Sequence, residues 1–179
     1  MRHRITTFAL LLLAVIAAAF VAGCGNDEHE TEVSEAEVLH LGDLEFDVQI
    51  TRFLNPYSEE DSAYLEGAPP LKDGEQYLGV FMQINNVGDE DSEVPYPFTI
   101  IDTRENAYPQ VRVDNDFALE PGTPIPADGT VPGLDTPARE GPIEGSLILF
   151  PIEEISTENR PLKLEVNYDG ESGEVELDL

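Results

Sequence analysis

From residue 44 to residue 51 apolar and polar side chains alternate without a break, with Leu44, Phe46, Val48 and Ile50 set against Glu45, Asp47, Gln49 and Thr51. Successive side chains of an extended chain point to opposite faces, so this period of two predicts a strand with one face on a core and the other in water. A second run, 77–85, puts Leu78, Val80, Met82 and Ile84 on one face and Tyr77 and Phe81 on the other. Large apolar groups on both faces predict a central strand that is covered on both sides.

Shorter runs of strand character follow. Segments 98–103 and 108–113 flank Arg104-Glu105-Asn106-Ala107, the spacing of a hairpin with a short loop. Segments 146–150 and 162–166 are further strands, and Asp169-Gly170-Glu171-Ser172-Gly173 reads as a turn into a last strand, 174–179, with Val175, Leu177 and Leu179 inward. Two long connections, 55–76 and 121–142, are crowded with turn formers, and the prolines of the second forbid a central strand there. Between the strands no window of ten residues or so keeps a helical period, although 152–159 has room for one or two turns. About seven short strands with Gly- and Pro-rich connections predict an all-β protein, a sandwich of two antiparallel sheets, with a small β-barrel as the alternative. Such a sandwich is immunoglobulin-like in architecture only, because the cysteine pair and core tryptophan of antibody domains are absent.

The opening strand 44–53, the segment YLGVFMQINNVGDED at 77–91 and the segment PAREGPIEGSLILFP at 137–151 together resemble the immunoglobulin-like domains of bacterial extracytoplasmic lipoproteins. The resemblance implies that the middle segment is a core strand ending in an Asn-rich turn, and that the last is a Gly-containing turn feeding a core strand. It covers most of 40–179 and implies a fold and a location, with no reaction and no ligand attached.

The N-terminus bears on the same location. Arg2 and Arg4 precede an uninterrupted apolar run from Phe8 to Ala22, which has the length and flanks of a signal-peptide core and is short for a permanent membrane span. The chain's only cysteine follows at once, in Val21-Ala22-Gly23-Cys24. These four residues resemble the lipobox of bacterial lipoproteins, which implies cleavage between Gly23 and Cys24 and acylation of the Cys24 thiol. Two or more acyl chains hold a protein stably where one is marginal. A lone thiol forms no internal disulfide, so lipidation also accounts for a single cysteine in an exported chain. Residues 1–23 are thus read as a lipoprotein signal peptide, 24–39 as a lipidated tether and 40–179 as the domain. The tether segment GNDEHETEVSEAEV at 25–38 holds six carboxylates and almost no apolar group, so it is expected to stay extended, reaching roughly 45–50 Å.

The chain has 37 acidic and 9 basic residues, and two of the bases lie in the leader. So anionic a particle lacks the clustered cations that nucleic acid or an anionic lipid surface requires. Histidine and thiol chemistry is almost exhausted: beyond the leader only His29 and His40 remain, with Cys24 occupied by lipid. Neither a Ser/His/Asp site nor a zinc site is read from one imidazole, and no Gly-rich phosphate loop runs from a strand into a helix. No cofactor and no metal site is assigned. Calcium takes six to eight oxygens, which makes Asp114-Asn115-Asp116 and Asp89-Glu90-Asp91 its candidates, though neither has an EF-hand spacing.

The expectation from sequence is therefore a membrane-anchored lipoprotein on the extracytoplasmic side, acting as a non-catalytic binding module toward an envelope protein or polymer. The long loops 55–76 and 121–142 are its expected contact surface. A calcium- or small-ligand-binding lipoprotein is the alternative, and a hydrolase working with carboxylates alone ranks last.

Overall fold

The computed structural model describes residues 31–179, so the leader, Gly23, Cys24 and His29 lie outside the described residues. Among the described residues twelve strands form two facing sheets and a small ribbon. The first sheet runs β1 (Glu32–Ser34), β12 (Glu171–Leu177), β11 (Leu162–Tyr168), β6 (Thr99–Ile101), β7 (Ala107–Pro109). The second runs β10 (Ser146–Glu153), β4 (Glu75–Asn86), β3 (Leu44–Leu54), β2 (Val38–Leu41), with β9 (Thr130–Val131) also on β4. The ribbon joins β5 (Ser92–Glu93) to β8 (Pro124–Ile125). The fold is the expected all-β sandwich. Its seven anticipated strands are β3, β4, β6, β7, β10, β11 and β12, and the other five are short.

Between the sheets, Leu44, Phe46 and Val48 of β3 and Leu78, Val80 and Met82 of β4 face Ile100, Leu164, Val166 and Val175 of the first sheet. Phe46 meets Phe98 edge to face, centroids 6.3 Å apart. Gly173 was read as part of a turn, yet it lies within β12, where a Cβ would stand 2.7 Å from Leu39 Cδ1. The missing side chain lets the edges of the two sheets close on each other. Gly145 has a φ of +109°, and a Cβ there would lie 2.8 Å from the Met82 nitrogen, so glycine alone lets β10 start flush against β4.

Two expectations are corrected. Ile50 was placed on the core face, but it is 39% exposed. A bulge between Val48 and Ile50 adds one residue to β3, and because the side-chain period is two, every later side chain changes face. Thr51 and Phe53 now point inward, while Arg52 and Leu54 point to the outer side. The tether was expected to run to residue 38 or 39. Instead β1 pairs in parallel with β12, Glu32 opposite Glu174, and β2 pairs with β3. Val33 and Leu39, two apolar side chains among many acids, are buried and help to seat the segment. The parallel pair also qualifies the expectation of purely antiparallel sheets.

The outer face of the second sheet carries its own core. Leu54, Tyr77, Phe81, Leu147 and Leu149 are covered there by Tyr64 from the connection 55–74 and by Val113. The two-faced pattern of β4 thus has its explanation in a loop laid across the sheet. Among the described residues no helix is long and apolar enough to cross a membrane; the regular turns are α1 (Pro137–Glu140) and a 3-10 turn at Glu154–Glu158, within the stretch where one or two helical turns were expected.

Candidate functional site

The sandwich has two poles, and the chain distinguishes them. β1 is parallel to β12, and β12 leaves the turn at residues 168–171, so β1 begins on the side of that turn. The β2–β3 hairpin shares this near pole, since the Gly42 N–H donates to the Glu171 carboxylate at 2.9 Å. The hydroxyls of Ser92 and Tyr168 also meet there, 2.6 Å apart. The far pole is built from the other strand ends: both ends of the connection 55–74, the 3-10 turn and the β6–β7 hairpin. Its parts are joined by the Glu154 N–H donating to the Gly74 carbonyl at 2.8 Å and the Thr103 N–H donating to the Asn159 carbonyl at 3.1 Å. β4 runs from one pole to the other, a span of about 37 Å for twelve residues at the usual rise.

Two open clefts lie side by side at the far pole. The first, about 530 Å³, is lined by residues 53–57 and 71–77 with Glu154; the second, about 670 Å³, by Asp73, Gly74, Glu153, Glu154, Ile155, Thr157 and Glu158. The Glu154–Gly74 hydrogen bond is the seam between them. Apolar groups stand in water here: Tyr57 is 95% exposed and Ile155 49%. Lys72 is the lining's one cation and is already engaged, its ammonium donating to Glu75 Oε1 at 3.2 Å. The Lys72 backbone N–H, donated to Glu75 Oε2 at 2.8 Å, outweighs the desolvation of Glu75 and, with a lesser contribution from the ammonium, holds it below the usual carboxylate range. Asp73, Glu153, Glu154 and Glu158 have no cation beside them among the described residues.

The neighbouring β6–β7 hairpin is organised by one carboxylate. Asp102 is buried, and that desolvation works against its charge. Hydrogen bonds outweigh it: the Asn106 side-chain amide and N–H, the Arg104 N–H and the Asn159 amide all donate to it at 2.9–3.2 Å, and its pKa ends below the ordinary value. The shifts at Glu75 and Asp102 are both downward, the reverse of what a carboxyl acting as general acid needs.

The loop 55–76, expected as contact surface, divides into two parts. Its middle is structural. Asp61, 3% exposed, pairs with the Arg52 guanidinium and accepts the Asn55 N–H at 2.8 Å, while Tyr64 is packed into the outer core. Only its ends line the clefts. The loop 121–142 is partly regular, holding β8, β9 and α1, and displays Leu134 at its tip.

The remaining sequence candidates are dispersed. His40 sits across the β2–β3 hairpin from Glu45, its Nδ1 3.5 Å from Oε1. Asp114 and Asp116 are exposed, and the Asn115 amide between them turns away, donating to the Tyr64 and Glu66 carbonyls at 3.0 and 3.1 Å. Asp89 and Glu90 are exposed at the near pole, where Asp91 accepts the Ala127 N–H at 3.2 Å. Among the described residues no three His, Cys, Asp or Glu side chains gather as a metal ion requires. The clefts themselves are not legible in the sequence, because their linings join segments 53–57, 71–77 and 153–158, which are distant in the chain.

No family model and no curated protein sequence matches the chain. Among solved structures, the chain is similar to the yjhA protein from Bacillus subtilis, with 14% identity and a TM-score of 0.53 over 82% of this chain and 99% of that one. An uncharacterized beta-sandwich protein from Clostridium difficile 630 gives 14% identity and a TM-score of 0.48 over 86% and 98%. A candidate lipoprotein, ycdA, from Bacillus subtilis subsp. subtilis str. 168 gives 15% and 0.47 over 84% and 39%. At these identities the likeness to yjhA is one of backbone fold, and function rests on the chain's own residues.

Proposed function

We propose that this chain is a lipoprotein of the cell envelope, held on the extracytoplasmic side by lipid on Cys24 after cleavage behind Gly23, and that it serves as a non-catalytic module binding another envelope protein or polymer through its far pole. The observation that carries the reading is the polarity of the domain: β1, its first described strand, begins on the side of one pole, and the clefts with their exposed Tyr57 and Ile155 lie at the other. Seven residues separate Cys24 from β1, a contour of at most about 25 Å. That is half the reach the sequence implied, so the near pole is kept toward the bilayer and the far pole is presented outward. Recognition at exposed loop ends on a rigid sandwich is a common arrangement.

The test is photo-cross-linking in cells, with a photoreactive residue in place of Tyr57 or, separately, of the near-pole Val87. The expected result is a discrete adduct from position 57, identified by mass spectrometry, and none from position 87. Adducts from position 87 alone, or from neither, defeat the reading.

A further inference from the structure

We infer that the far-pole clefts take a basic, extended polypeptide segment in which cationic side chains alternate with apolar ones. This rests on the binding reading above and names the class of partner.

The shape comes first. The two clefts adjoin along one backbone hydrogen bond, from the Glu154 N–H to the Gly74 carbonyl, and together form an open trough; a small-molecule site is by contrast concave and encloses most of its ligand. An extended chain is the occupant that fills a trough while leaving one side in water. The surface chemistry then specifies its side chains. Tyr57, almost wholly exposed, and Ile155, about half exposed, offer apolar area left open by the described residues, and exposed aromatic and aliphatic groups of this kind are the anchors on which peptide contacts form. Asp73, Glu153, Glu154 and Glu158 rim the same trough, and its one cation, Lys72, is held by Glu75. An acidic or neutral chain laid there leaves these carboxylates uncompensated or repelled, whereas lysine or arginine at every second position meets them. Side chains of an extended segment alternate in direction, so apolar residues on one side reach Tyr57 and Ile155 while cations on the other reach the rim.

The test uses the full-length protein in phosphatidylcholine nanodiscs, with empty nanodiscs as blank, and a fluorescent nonapeptide alternating lysine with valine. Binding is read by anisotropy, with a peptide carrying glutamate for lysine as control. The triple variant Glu153→Gln/Glu154→Gln/Glu158→Gln is expected to weaken binding about tenfold, and Tyr57→Ala/Ile155→Ser by a similar factor. The near-pole triple Asp89→Asn/Glu90→Gln/Asp169→Asn removes the same charge and is expected to weaken it less than about threefold, through the general field alone. Equal losses from the two triples, no loss from the apolar double variant, or equal binding of the glutamate peptide overturns the inference. A neutral or acidic segment cross-linked at position 57 in cells overturns it too, while leaving the broader binding reading in place. Absence of any adduct removes both.

Discussion

The Tyr64 ring stands edge-on to Phe81, centroids 5.1 Å apart and planes at 82°, and leans on Phe117 at 4.6 Å. Through this contact a connection of some twenty residues, predominantly polar, becomes part of the folded core and fixes where its two ends emerge at the far pole. Truncating Tyr64 to alanine leaves a cavity between the loop and the second sheet. Tyr64→Ala is therefore expected to destabilise the domain by about 3 kcal/mol in urea unfolding, whereas Tyr57→Ala, at a fully solvated ring, stays within about 0.5 kcal/mol.

Asn115 holds the same loop through its backbone. Its amide donates to two carbonyls, those of Tyr64 and Glu66, and its Oδ1 accepts the Phe117 N–H at 3.0 Å. Asn115→Ala is expected to lower stability by about 2 kcal/mol and to open residues 55–74 to limited proteolysis. Replacing the exposed Asp114 or Asp116 is expected to change stability by no more than about 0.5 kcal/mol. A larger effect at the aspartates than at Asn115 contradicts this assignment.

Asp102 gives the fold a defined response to acid. Its folded pKa lies below that of the unfolded chain, so its stabilising contribution is complete above the unfolded value, about 3.9, and is lost as pH falls through the folded one. Unfolding midpoints of the wild type are expected to drop below about pH 4 more steeply than those of Asp102→Asn. Parallel curves for the two proteins refute that role.

β1 is held at the sheet edge by charge as well as by backbone. Lys163 donates to Glu174 at 2.8 Å and also to Glu32, and these two partners raise its pKa despite some burial. Lys163→Met removes the link, and exchange of the Glu35 amide, which donates to the Glu176 carbonyl at 2.8 Å, is expected to speed up about threefold. Unchanged exchange there means that backbone pairing and the burial of Val33 seat the strand without the charge.

The long strands were legible because alternation is a local signal: β3 and β4 could be placed from their own residues, and Tyr77 with Phe81 announced a covered outer face. What covers that face was not legible. Tyr64 is one aromatic ring in a segment full of acids and turn formers, and its partner Phe81 is seventeen positions away in sequence. The bulge after Val48 defeated the placement of Ile50 because one inserted residue leaves no trace in the pattern before it. β1 escaped for a related reason: its partner is β12, at the far end of the chain, and an acidic segment with a single valine has no local mark of a strand. The far-pole trough is assembled from residues 53–57, 71–77 and 153–158, so each part was visible in sequence and their meeting was not.

The anchor is the claim on which orientation and compartment depend. Mass spectrometry of the N-terminal peptide, from protein purified out of its own cells' membranes, tests it most directly. The account predicts a peptide that begins at Cys24 and carries acyl mass; a peptide that begins at Met1, with Cys24 present as a free thiol, contradicts it.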